Sequence, residues 1–224
     1  MANRNRIPKG NSVVVIGLGR FGGAVAESLI RLGHEVLGID ENHDCVQQWS
    51  GLLTHVVQAD TTSIDTLREL GVGEFKHAVV GIGNNVEASV LTVLALEEMG
   101  VPDIWAKAMT AKHGRILERT GAHHVIFPEA TMGARVAHLV TGRMIDFFEV
   151  DEGYAIAKTR TPADFDGRTL AEVAVRSKYG VTVVAVKRPK DEILYAKLDT
   201  VLGRDDLLIV AGPTAAVERF SALT

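Results

Sequence analysis

A single cysteine, Cys45, stands in 224 residues, so the chain can build neither an intramolecular disulfide nor a multi-thiolate metal site. That usage fits a reducing compartment such as the cytosol. Long apolar runs are missing as well: nowhere do about 18 uncharged apolar residues follow one another, the length needed to span a bilayer. The segment Met1–Asn11 is polar and basic and lacks the apolar centre of a secretion signal. With no direct membrane insertion expected, a role at a membrane would run through a partner. A basic surplus is also absent, since Lys and Arg total 24 against 28 Asp and Glu. The parts before and after residue 145 hold 13 against 15 and 11 against 13, so each carries a formal charge of −2. Binders of nucleic acid usually show a basic stripe or lobe, so no nucleic-acid partner is expected. All eight histidines precede residue 139, without an HExxH motif or a cysteine partner. Zinc is therefore disfavoured and the histidines are expected on the surface or in loops. No GxxxxGK(S/T) is present, which argues against Walker-type nucleotide hydrolysis.

What is there suits a core-forming chain: 46% hydrophobic and 23% charged residues, with mean hydropathy +0.13. The length favours a mid-sized domain plus a small one. From Ser12 short apolar runs alternate with helical patterns. Val13–Ile16 opens the series, followed by runs at 35–39, 54–58, 77–82, 103–107 and 124–127. Between the first two, Phe21, Val25, Leu29 and Leu32 form an apolar stripe that Gly33 ends. Strands that read apolar throughout and alternate with helices predict an α/β fold, a doubly wound, Rossmann-like parallel sheet over 12–145. A helical stretch at 130–141 leads to Phe147–Val150, where the pattern changes. Residues 146–224 then read as a smaller α+β lobe: a strand at 154–159, a helix at 169–177, strands at 181–187, 193–196 and 206–211, and a short terminal helix.

The strongest local signal is Gly17-Leu18-Gly19-Arg20-Phe21-Gly22, a GxGxxG that follows a strand and opens a helix. There the first glycine permits the tight turn, the second lets backbone approach a phosphate, and the third lets the helix pack on the strand. The helix N-terminus offers free N–H groups and a positive dipole end to an anion. Asp40 closes the second strand, 18 residues after Gly22. It either accepts both ribose hydroxyls of an adenosine, disfavouring a 2′-phosphate, or caps the helix starting near Asn42. Arg20 either pairs with a phosphate or is a solvated surface residue. Asp60 and Thr61 end the third strand on the same rim, as an adenine-side wall or as turn and cap residues. Gly81-Ile82-Gly83-Asn84-Asn85 ends the fourth strand near the same crevice, as pocket wall or ordinary turn. Lys107 and Glu129 complete the rim. A carboxylate there would repel phosphate unless a divalent cation bridged them, or else it is N-terminal helix charge.

Taken together, several segments resemble the RCK domain proteins, regulators of potassium conductance. The resemblance is to the stand-alone KtrA/TrkA-type subunits of bacterial potassium uptake systems. Its carriers are 15–22, Gly38-Ile39-Asp40, Ala59-Asp60-Thr61-Thr62, Ala106-Lys107-Ala108, 121–129, Met132-Gly133 and Arg135-Val136-Ala137. In the second lobe, 165–170, Lys178-Tyr179-Gly180-Val181 and Gly203-Arg204-Asp205-Asp206 look like the family's C-terminal module. The resemblance implies a nucleotide-sensing gating subunit that is no enzyme. It would be a homodimer assembling into a ring beneath a membrane-embedded potassium transporter, cytoplasmic and peripheral to the membrane's inner face. ATP against ADP, or NADH against NAD, would shift the ring. On that pattern Arg20 contacts outer phosphates, Asp40 the ribose, Asp60 with Thr61 the adenine side, and Lys107 a phosphate. Glu129 faces a divalent cation such as magnesium. Thr61-Thr62 stands where many relatives have Ala-Thr.

The competing reading is a small NAD-dependent dehydrogenase. It needs a substrate pocket facing the nicotinamide and a proton relay, usually from a second domain. Here the second lobe is short and without histidine.

Overall fold

The computed structural model describes residues 12–141, 144–189 and 193–224. The chain falls into two compact units that meet between Glu129 and Ala130. The first contains β1 (Ser12–Ile16), α1 (Arg20–Arg31), β2 (Glu35–Asp40), α2 (His43–Trp49), β3 (His55–Gln58) and α3 (Ile64–Glu69). It continues with β4 (His77–Val80), α4 (Val86–Glu98), β5 (Asp103–Lys107), α5 (Ala111–Arg119) and β6 (His124–Ile126). Among the described residues its strands form a six-stranded parallel sheet in the order β3-β2-β1-β4-β5-β6. The residues of β1 show why its sequence is apolar without interruption. Val14 and Ile16 feed one core with Ile104, Leu96 and Leu117, while Val13 and Val15 feed another with Leu18, Val36 and Ala26. A strand with helices on both faces has no side left for polar residues.

Four helices of this unit are capped by side chains at their starts. Asn42, Ser63, Asn85 and Thr110 each accept a backbone N–H at the starts of α2, α3, α4 and α5. Gly33, at φ +85°, follows the end of α1. Leu32, read as the end of that helix's apolar stripe, is instead 75% exposed.

A helix α6 (Pro128–Thr141) runs across the division into the second unit, which holds β7 (Met144–Asp151), β8 (Tyr154–Arg160), α7 (Leu170–Val173) and α8 (Val175–Tyr179). Then come β9 (Thr182–Lys187), β10 (Ile193–Tyr195), β11 (Leu207–Pro213) and α9 (Thr214–Ser221). Its antiparallel sheet has the order β10-β9-β11-β8-β7. Phe165, Tyr179 and Phe220 meet over the core with ring centroids 5.5 to 6.1 Å apart. The division lies at 129/130 and not at 145/146 because α6 packs on the second unit. Leu139 joins that core, His138 stacks on Phe147 at 4.0 Å, and Arg135 Nε donates to Asp146 at 3.1 Å.

Two elements differ from the sequence expectation. The strand β7 was not foreseen, and the helix expected over 169–177 is two short helices broken at Ala174, whose φ is +55°. The left-handed region costs a residue with a Cβ about 1–2 kcal/mol, partly offset by the greater unfolded freedom of glycine. Ala174→Gly is therefore expected to stabilise the second unit by about 0.5–1 kcal/mol. Chemical denaturation reads this directly, and a lowered midpoint would contradict it.

Candidate functional site

At the carboxyl ends of β1, β2, β4 and β5 the first unit holds a cavity of about 330 Å³. It lies where the strand order reverses, beside β1, the usual ligand position in an open parallel sheet. The glycine-rich turn forms its floor. Gly17 adopts φ +84° and its N–H donates to the Ile39 carbonyl at 2.8 Å, tying the turn to β2. A Cβ on Gly22 would lie 1.8 Å from the Gly17 carbonyl oxygen, and one on Gly81 would lie 2.9 Å from the same atom. Three backbones therefore cross at one point, and Gly22 is a packing residue that does not line the cavity. A Cβ on Gly19 would meet nothing within 4 Å, so that glycine leaves open space at the helix start. No side chain caps α1 and its first turn holds no acidic residue. Its positive end therefore faces the cavity without a nearby counter-charge from the helix itself.

Asp40 is held by backbone on both oxygens. Oδ2 accepts the Leu18 N–H at 2.6 Å and Oδ1 accepts the Asn42 N–H at 2.8 Å. The Leu18 carbonyl in turn accepts Trp49 Nε1 at 3.1 Å, so the residue at the centre of the turn is held at both its N–H and its carbonyl. The cap of α2 is Asn42, whose Oδ1 accepts from Asp44 and Cys45. Asp40 thus has a lone pair left on each oxygen and lines the cavity.

Arg20 is exposed at the cavity wall, and Phe21 stands beside it. Lys107 is buried, with Nζ 5.8 Å from the Phe21 ring centroid and 2.6 Å from Glu129 Oε1, to which it donates. That bond, with the Glu129 backbone and the Arg20 charge adding to it, holds the Glu129 carboxyl below the usual range. Asp60 Oδ1 accepts both the hydroxyl and the N–H of Thr62, at 2.7 and 2.9 Å, which lowers its pKa. Thr61 is placed differently from the adenine-side expectation: its buried hydroxyl turns inward to Thr92 Oγ1 at 2.9 Å. Three residues that follow Asp40 on its rim, none of them read from the sequence as a ligand contact, also line the wall: Glu41, Asn42 and Cys45. Burial, then the charges of Asp40 and Asp44, push the Cys45 thiol up, keeping it protonated.

Among the described residues no three His, Cys, Asp or Glu side chains are grouped to hold a metal ion. His113, expected at the surface, is buried in α5, and burial pushes its pKa down. Among the described residues no helix is long and apolar enough to cross a membrane.

Comparison with known proteins matches the TrkA-N domain over residues 13–128 and the TrkA-C domain over 157–224. The Ktr system potassium uptake protein C of Bacillus subtilis is 37% identical over 207 residues, covering 92% of this chain and 94% of that protein. Among solved structures, the GsuK RCK domain superposes with a TM-score of 0.67 at 19% identity, over 97% of this chain and 48% of its own. The GsuK channel bound to NAD gives 0.63 at 18% identity, over 94% of this chain and 38% of its own. These structural likenesses concern the fold, and the chain spans less than half the length of either of those two structures. The two domain matches, in this order and with identity over nearly the whole length of a Ktr protein, show that the chain belongs to the TrkA-N/TrkA-C family of Ktr and Trk potassium uptake proteins.

Proposed function

We propose that the chain is the nucleotide-sensing regulatory subunit of a potassium transporter. Its first unit binds an adenine nucleotide, ATP/ADP or NAD/NADH, and the bound state controls potassium passage through a separate membrane-embedded chain. The observation that carries this reading is the pairing at the cavity floor of an open helix N-terminus with Asp40. Phosphates would lie on the α1 N–H groups at Gly19, with Arg20 on an outer phosphate. The ribose hydroxyls would donate to the free lone pairs of Asp40, and the base would lie toward Asp60 and the rim residues after Asp40. Thr61, its hydroxyl bonded to Thr92, contributes through its position in the wall. A magnesium ion at the phosphates would have Glu129 as its protein carboxylate and take its other ligands from the nucleotide and water.

The chain on this reading is no enzyme; it transmits occupancy. Homodimers assembled into a ring at the inner membrane face would change shape with the nucleotide. A ligand shifts such an equilibrium only by its difference in affinity between the two shapes. The phosphate end, where Arg20, Lys107 and Glu129 converge, is the natural source of that difference.

A thermal-shift panel of ATP, ADP, AMP, NAD and NADH, with and without magnesium, tests the binding. A nucleotide at about 100 times its Kd should stabilise the fold by about 2.7 kcal/mol. Stabilisation by none of the five would overturn the proposal. Arg20→Ala is expected to weaken ATP more than AMP. Equal losses for the two in calorimetry would remove Arg20 from the outer phosphates.

A further inference from the structure

The ion pair at the cavity's rim is asymmetric. Among the described residues Lys107 is the one lysine or arginine that is buried. Its ammonium lies 5.8 Å from the Phe21 ring centroid and close to Gly83, where an added Cβ would lie 3.3 Å from Nζ. The Glu129 side chain, by contrast, is 57% exposed while Oε1 sits 2.6 Å from that ammonium. The cation is thus the buried member of the pair and the carboxylate the solvent-exposed one. Arg20 also draws on Glu129 electrostatically. A carboxylate bonded to a lysine and drawn on by an arginine, in the cavity that an open helix N-terminus also lines, occupies the kind of place a phosphate oxygen seeks.

We infer that Glu129 is an internal anion, seated on Lys107 where a ligand phosphate oxygen would sit, so that a nucleotide must displace it to bind fully. The inference rests on the nucleotide-binding reading above and adds to it a built-in competitor. The competitor sets a threshold. A phosphate with several acceptor oxygens and more charge than one carboxylate prevails at Lys107, while weaker anions are turned away. Displacement also releases Glu129, in the first turn of α6, from its contact with β5.

Calorimetry of ADP and ATP on the full chain, with EDTA present to exclude divalent cations, tests this on four proteins: wild type, Glu129→Gln, Lys107→Gln and the double variant. Glu129→Gln is expected to bind both nucleotides about fivefold more tightly, the scale of a partly exposed ion pair. Lys107→Gln should weaken both, and in its background the Glu129→Gln gain should vanish. Unchanged or weaker binding by Glu129→Gln, while the wild type binds, would overturn the inference and leave the nucleotide reading standing. A gain that persists without Lys107 would overturn it too, by making Glu129 a plain repulsive charge. A wild type that binds no adenine nucleotide would sink both.

Discussion

Asp40→Ala is expected to weaken ATP, ADP, AMP, NAD and NADH alike, each by at least about tenfold. The reason lies in what the carboxylate does before any ligand arrives. Its oxygens already accept the Leu18 and Asn42 N–H groups, which fixes the orientation of the remaining lone pairs. A ribose hydroxyl donating to such a carboxylate contributes about 1.5–3 kcal/mol, and one bond of that size is already a factor of ten or more. Alanine also leaves the Leu18 N–H, half-buried in the glycine-rich turn, without its acceptor. The loss should be common to the series because every member carries the adenosine ribose. Calorimetry on the full chain checks it. Unchanged affinities would confine Asp40 to holding the turn, and a loss confined to ATP would place it at the phosphates.

The sheet of the first unit was legible because its strands are apolar on both faces. Each run reads as a strand wherever it is cut, as the opposed cores fed by Val13 with Val15 and by Val14 with Ile16 show. Strand β7 was not legible, for the opposite reason. It lies at the edge of its sheet with β8 as neighbour, and Asp146, Glu149 and Asp151 interrupt its apolar residues. Register shifts at Met144/Asp146 and at Glu149/Asp151 remove the two-residue period on which recognition depends. The break at Ala174 was hidden because nothing in an alanine announces a positive φ.

The site divides in the same way. Residues whose chemistry is carried by local order along the chain, the glycine turn and the acid closing β2, could be placed on one rim from spacing. Lys107 and Glu129 could be set on that rim too, but which side chains pair there is decided by the fold. Thr92 lies 31 residues beyond the hydroxyl it bonds, and Glu129 lies 22 beyond Lys107. Gly81 reads as pocket wall or ordinary turn, and its packing against the Gly17 carbonyl emerges only from the fold.

That crossing of backbones sets the largest expected change in stability. Gly22→Ala places a methyl group 1.8 Å from the Gly17 carbonyl oxygen and 3.0 Å from its carbon. Side-chain rotation cannot relieve the clash, because both contacts are with backbone and Gly17 is tied to the Ile39 carbonyl at 2.8 Å. Either α1 lifts from β1 or the turn opens, and both expose the core around Val15, Leu18 and Ala26. Overpacking of this kind costs about 3 kcal/mol, at the upper end of the usual range, and should lower the melting temperature by roughly 10 °C. Gly19→Ala is the counterpart. Its methyl group meets nothing within 4 Å, and its backbone, at φ −64°, suits an alanine. Its melting temperature should stay within a few degrees of wild type, while nucleotide binding falls as the methyl group fills the space over the α1 terminus. Paired calorimetry and thermal melts separate the two glycines. A Gly22→Ala protein that melts like wild type would show that α1 can retreat from β1 without loss, against the packing seen at Gly17, Gly22 and Gly81.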